Sequence, residues 1–374
     1  MIASTDSSAF ASGNTRNEAV AMRQKACGVL RTIVFVALAI HLAACGFPPS
    51  SSSKAPTSST PLSASGTAPT GPLLGAWWDS KQDGLRPVYG IAGAAYQGQA
   101  TYSDGSYNGA AACMRKNIAL LTTPAGALFS VTLPLGKPYL VTANGIPKAS
   151  IAFSPSCTSS LVYAPGSPQA LLLQALLSTP TITSVALPAG VSTVIVADSG
   201  SVLVEIPGAE GSAVIQLLAS GTNSLQAVTS LSRFGGMAFL PGADTALLAD
   251  ATMNTILEAS HLTTNMSLST IAGSADGVAT PTAVAISADG HFAAVANNNG
   301  SSVLRLDLSG QSSPIKTACN CSPSELVPLA GNFAFRLNEA GSGTVWAFDG
   351  NGAKPRVFFI PSDQVASTGK RGGL

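Results

Sequence analysis

Three histidines and six cysteines are the residues of this 374-residue sequence best suited to acid–base, metal or nucleophilic chemistry. His261 and His291 sit in no HExxH or HxH spacing, the patterns that would turn two imidazoles toward one metal. His41 falls in an apolar run near the N-terminus. No GxSxG elbow singles out a nucleophilic serine, and no GxxxxGK[ST] loop is present to cradle a phosphate. Cys319 and Cys321 form a Cys-x-Cys pair within ACNCSP. A redox or metal site there would need partner ligands that the sequence does not offer, so a small local loop, or pairing elsewhere, is the simpler use. Binding is therefore favoured over turnover, and no catalytic residue, metal ligand or cofactor is expected.

Composition narrows the classes further. Hydrophobic residues make up 46% and charged residues only 10%, well below the roughly 25% usual in soluble domains. Nineteen basic against eighteen acidic residues give a net charge of +1, too balanced for a protein that grips phosphates along a basic stripe. No nucleic-acid partner is expected. Disordered charged tails and coiled coils are excluded by the high apolar content and the absence of heptads.

The N-terminal region carries the sharpest pattern. Arg23, Lys25 and Arg31 precede the apolar run Ile33–Ile40, and small residues then lead to Cys45. This is the order of a cleaved export signal, and the run falls short of the roughly 20 residues that span a bilayer. Leu42-Ala43-Ala44-Cys45 resembles the lipobox of bacterial lipoproteins. The resemblance implies that Cys45 receives diacylglycerol and becomes the mature N-terminus. It also implies an outer-membrane destination, periplasmic or surface-facing, since Gly46 stands where an Asp would favour inner-membrane retention. Residues 1–44 are thus read as a lipoprotein signal peptide, with Met22 as a more ordinary start than Met1. Residues 45–72 are almost entirely Ser, Thr, Pro, Ala and Gly, a composition that cannot bury enough surface to fold. They read as a tether. Removing residues 1–44 leaves 15 basic and 16 acidic residues, a net charge of −1.

Residues 73–362 read as the folded body and 363–374 as a flexible tail. Apolar runs of four to seven residues, bounded by Gly, Pro, Asn, Asp and Ser, predict an all-β fold. Three segments repeat: VSTVIVADSGSVLVEI from Val191, DTALLADATMNTILEA from Asp244 and HFAAVANNNGSSVLRLD from His291. Each reads as strand, polar turn and strand, with a further strand before it (SVALP from Ser184, GGMAFLP from Gly235, PTAVAISADG from Pro281), which makes a four-stranded meander. Weaker copies begin at Asn117, Ser150 and Leu326. GAWWDSKQDGLRPVYGIAG from Gly75 matches TVWAFDGNGAKPRVFFIPS from Thr344 and reads as one more outer hairpin without its inner pair. Two packed β-sandwiches would also give short strands, but not copies of one unit.

VIVADSGSVLVEI and PTAVAISADGHFAAVAN resemble NHL and YVTN-type β-propeller repeats. That resemblance covers most of residues 110–360 and implies a ring of four-stranded blades around a channel, one of them often closed by both chain ends. The length accommodates six or seven blades, with seven favoured. Asp198, Asp250, Asn297 and Asn338 fall at similar repeat positions and read as turn fasteners, the alternative being a polar ring at one mouth. Trp77 and Trp78 read as packing between blades rather than a platform for sugars. In an oxidising compartment Cys113 and Cys157 are the preferred disulfide.

The expectation is a monomeric, lipid-anchored propeller that binds or scaffolds an envelope protein or glycan. The alternatives are a propeller-type lyase or hydrolase acting on carbohydrate or lactone-like substrates, and an outer-membrane assembly factor.

Overall fold

The computed structural model describes residues 71–339 and 344–361. The leader, Cys45, the tether up to residue 70 and the tail 363–374 lie outside the described residues.

The first sheet holds β1 (Leu73–Asp79), β2 (Gly84–Ile91) and β3 (Ala94–Gln97). The second holds β4 (Gly109–Cys113), β5 (Ile118–Thr122), β6 (Leu128–Thr132) and β7 (Tyr139–Thr142). The third holds β8 (Ser150–Phe153), β9 (Ser159–Tyr163), β10 (Gln169–Gln174) and β11 (Thr181–Ala186). The fourth holds β12 (Thr193–Val196), β13 (Val202–Pro207), β14 (Ala213–Leu218) and β15 (Leu225–Leu231). The fifth holds β16 (Phe234–Phe239), β17 (Thr245–Asp250), β18 (Thr255–Ser260) and β19 (Ser267–Ala272). The sixth holds β20 (Pro281–Ile286), β21 (Phe292–Asn297), β22 (Ser302–Asp307) and β23 (Ile315–Ala318). The last holds β24 (Val327–Pro328), β25 (Ala334–Arg336), β26 (Val345–Asp349) and β27 (Arg356–Ile360).

Every sheet is an antiparallel meander in chain order, and the first strand of each lies beside the first strand of the next, as in β4 beside β8 and β16 beside β20. The fold is a seven-bladed β-propeller. Within each blade the strands are called a to d from the channel outward. The ab turns then project from one face of the ring and the bc turns from the other.

Seven apolar clusters fill the seven seams between blades. Leu247, Ala249 and Ile256 of the fifth blade, for example, pack on Val284, Ile286 and Val295 of the sixth. A b strand is pressed by both neighbouring blades, so both of its faces must be apolar. Hence β5 (IALLT) and the run Ala246–Asp250 of β17 are buried at every position, and their sequences run continuously rather than alternate. The d strands β11 (TITSVA) and β19 (SLSTIA) face water along most of their length and are rich in Ser and Thr. Truncating one seam leucine to alanine would cost about 2–5 kcal/mol, because a tightly packed seam cannot collapse around the hole.

Three details differ from the sequence reading. The Gly75 segment is not an outer hairpin: β1 lies on the channel, and among the described residues its blade holds strands a to c. The reason is the burial of Leu74–Trp77 and Asp79 along β1, which only an a strand between two blades receives. The Val191 repeat is out of phase with the other two, since β12 and β13 are strands a and b whereas β17 and β18 are b and c. SVALP accordingly belongs largely to β11, the d strand of the preceding blade. An apolar strand ending in Asp or Asn serves equally at an ab or a bc turn, so the motif alone does not fix the phase. Finally, among the described residues no blade is shared between the N-terminal and C-terminal strands. The first and last blades meet through the Ala330 N–H donated to the Leu74 carbonyl at 2.7 Å and a cluster of Leu74, Trp77 and Val88 with Leu329, Phe358 and Ile360.

Candidate functional site

The a strands of all seven blades surround a central cavity of about 590 Å³. Its walls are mainly apolar: Trp78 from β1, Ala111 from β4, Phe153 from β8, Ile195 from β12, Phe239 from β16 and Ile286 from β20. The size and lining suit a small organic ligand. Charge is confined to the two ends.

At the ab face the turn after β4 carries Arg115, whose side chain lines both the cavity and the shallow mouth formed with Ser156, Ala288, Gly331 and Asn332. A disulfide joins Cys113 to Cys157, with Cα atoms 6.0 Å apart, and so pins the turn bearing Arg115 to the turn bearing Ser156. Burial pushes the guanidinium below its ordinary value, against the carboxylates of Asp198 and Asp289. Arg115 makes no hydrogen bond or salt bridge with any described residue.

The two carboxylates that act on Arg115 are both engaged. Asp198 accepts the backbone N–H of Ser156 at 2.8 Å, its hydroxyl at 2.8 Å and the N–H of Gly242 at 2.9 Å, which ties the third, fourth and fifth blades together. Burial opposes its ionisation, yet these bonds hold it below the usual carboxylate range. Asp289 accepts the Ser287 hydroxyl at 2.6 Å and the His291 N–H at 3.0 Å, and exchanges bonds with Asn332 of the seventh blade. It too is held well below the usual range despite desolvation. His291 is exposed, with Nδ1 3.2 Å from Asp289.

At the bc face Glu325, just before β24, pairs with Arg336 at the end of β25, 3.0 Å away, and Glu339 lines the same end of the cavity. Burial pushes the Glu325 carboxyl up, Arg336 pulls it down, and Glu339 adds to the rise. The Arg336 guanidinium also lies over Trp77 at 5.2 Å.

The four repeat residues do not form one ring. Asp198 stands at an ab turn, whereas Asp250, Asn297 and Asn338 follow b strands on the bc face. Asp250 accepts the backbone N–H groups of Ser232, Thr252 and Met253. Asn297 accepts from the Ala279 N–H at 3.0 Å and donates to the Gly277 carbonyl at 3.0 Å. Asn338 accepts the Trp346 N–H at 2.7 Å. None of the four lines the cavity. Trp77 is buried in the seam between the first and last blades, and Trp78 packs in the seam to the second, while both also border the cavity. A second disulfide joins Cys319 to Cys321. Among the described residues no group of three or more His, Cys, Asp or Glu is arranged to hold a metal.

Arg115, Glu325, Arg336 and Glu339 were not singled out by the sequence reading. In a chain with so few charges, Arg115-Lys116 two residues after Cys113 was the available signal, but its direction into the channel depends on the ring.

No family model and no curated protein matches the sequence. Among solved structures, the chain is similar to a protein of unknown function from Desulfotomaculum acetoxidans, with a TM-score of 0.55 and 14% identity over 78% of this chain and 100% of that one. The likeness is one of fold. Weaker similarity extends to the selenomethionine-substituted virginiamycin B lyase of Staphylococcus aureus (TM-score 0.47, 12% identity, 68% of this chain and 84% of that chain). A streptogramin B lyase gives a TM-score of 0.47 at 13% identity, covering 69% of this chain and 84% of its own.

Proposed function

We propose that this propeller is a binding or scaffolding module held at the cell envelope, preferentially the outer membrane, by a lipid on Cys45. The observation that carries this reading is the order of basic residues, apolar run, Leu42-Ala43-Ala44-Cys45 and Ser/Thr/Pro tether ahead of the folded body. The rigid ring supports it by offering loop-lined faces and an open apolar cavity to an envelope protein or glycan. The module acts as a monomer and reaches its partner through the tether.

The test is crosslinking in intact cells, followed by recovery from solubilised envelopes beside a Cys45→Ser control. A partner recovered with the anchored form and lost from the control supports the reading. A Cys45→Ser protein that stays in the membrane fraction and still carries lipid overturns the anchor.

A second reading, a hydrolase or lyase on carbohydrate or lactone-like substrates, draws support from Glu325 and Glu339 converging on one end of the cavity. It requires turnover of such substrates that Glu325→Gln abolishes. Turnover unaffected by that substitution removes the support.

A further inference from the structure

We propose that the channel binds a monoanionic amphiphile, a carboxylate with an apolar body, whose head group docks on Arg115 at the ab face. The inference deepens the binding reading by naming the ligand class, but it does not depend on the Cys45 anchor.

The argument rests on which polar groups at this mouth are used and which are not. Asp198 and Asp289 have their oxygens occupied by donors from their own and neighbouring turns. They offer little to an incoming cation. Arg115 brings five N–H donors in a planar fork, and none is bonded to a described residue. A half-buried guanidinium with unused donors is matched by a carboxylate, which accepts two parallel bonds from the fork.

The two fixed carboxylates nearby decide the ligand's charge. Asp198 and Asp289 repel a phosphate dianion about twice as strongly as a carboxylate, so a single negative charge is the better match to Arg115. The body of the ligand is set by the wall. Behind Arg115 the cavity presents Trp78, Phe153, Ile195, Phe239 and Ile286, an apolar surface that would gain by covering hydrocarbon or an aromatic ring. The Cys113–Cys157 bond fixes the Arg115 turn against its neighbour, so less freedom is lost when the head group docks.

The test uses the purified full chain, with buffer as the blank, and titrates 4-phenylbutyrate by calorimetry and tryptophan fluorescence. Its isosteres 4-phenylbutylamine and 4-phenylbutanol are titrated alongside. The expected result is saturable binding of the carboxylate at one site per chain, at least tenfold tighter than the amine or the alcohol. Arg115→Gln should weaken the carboxylate at least tenfold and leave the alcohol unchanged. Ala111→Leu, which narrows the channel from an a strand without touching Arg115, should weaken carboxylate and alcohol alike. Absence of saturable phenylbutyrate binding, equal affinity for the amine, or undiminished affinity in Arg115→Gln overturns the proposal. Should Arg115→Gln fail to fold, as judged by its thermal transition, the comparison of carboxylate with amine and Ala111→Leu still decide. An envelope partner recovered normally with a chain that binds no carboxylate would sink the channel ligand alone, whereas a soluble Cys45→Ser chain without partner leaves the channel result intact.

Discussion

Asp289 and Asn332 clasp the sixth and seventh blades: the Asp289 N–H donates to Asn332 Oδ1 at 2.9 Å, and Asn332 Nδ2 donates to Asp289 Oδ2 at 2.6 Å. The Ala288 N–H donated to the Asn332 carbonyl at 2.7 Å completes the clasp. Substituting Asn332 by Ala should cost about 1–2 kcal/mol in urea unfolding. The loss should also weaken with acid. A carboxyl held below its ordinary value of 3.8 contributes stability above that value, and the contribution disappears as pH falls toward the folded value. Wild type and Asn332→Ala are therefore expected to differ most at neutral pH and to draw together only as the pH falls well below 3.8. A difference independent of pH would mean that the Asp289 carboxylate is not the partner that matters.

Asp198 and Asp250 look alike in sequence and do different work. Asp198 binds across two seams, whereas Asp250 fastens turns within its own blade and the strand leading into it. Asp198→Ala should cost about 2–3 kcal/mol, since it strands donors in two neighbouring blades, and Asp250→Ala about 1–2 kcal/mol. Hydrogen exchange separates the two: loss at Asp198 should raise exchange in the turns at Ser156 and Gly242, and loss at Asp250 should not.

The Cys113–Cys157 bridge spans 44 residues and two blades. Reduction, or Cys157→Ala, should lower unfolding free energy by about 2–4 kcal/mol, the amount expected from freeing a loop of this length in the unfolded chain. Calorimetry in the presence and absence of reductant measures this directly, and an unchanged transition would show that the bridge does not constrain the chain.

Glu325 and Arg336 form a pair that is largely withdrawn from water. Arg336→Met should cost about 3 kcal/mol by leaving the Glu325 carboxylate uncompensated, and adding Glu325→Gln should return most of it. Because burial already raises Glu325 above its ordinary 4.5, the single variant should gain stability as pH falls from 7 toward 5. The folded state then binds the proton more tightly than the unfolded one. The double variant should show no such slope.

Gly236 lets β16 approach β20. Its φ is +115°, and a Cβ there would stand 2.9 Å from the Ala283 Cα and 3.0 Å from the Val284 nitrogen. Gly236→Ala combines backbone strain with a clash against main chain and should destabilise by about 2 kcal/mol or more. A thermal melt within a degree of wild type would refute this close approach.

The sequence by itself determined the strand content, the meander, and the favoured number of blades. Each of these follows from local order: apolar runs of strand length, turn residues between them, and a recurring unit too small to bury its own faces. The continuous burial of β5 and of residues 246–250 in β17 was legible for the same reason, since their unbroken apolar runs require neighbours on both sides. Phase was not legible. Val-Ala-Asp before Ser199 and Leu-Ala-Asp before Ala251 read alike, and only the pairing of β12 with β13 and of β17 with β18 puts Asp198 and Asp250 on opposite faces. The channel was not legible either. Arg115 and Asp289 are more than 170 positions apart, and what couples them is the closure of the ring through Leu74 and Ala330. Contacts between neighbours in sequence are written in the pattern of residue types. The convergence of ab turns at one mouth is a property of seven seams summed around a circle, which no single repeat encodes.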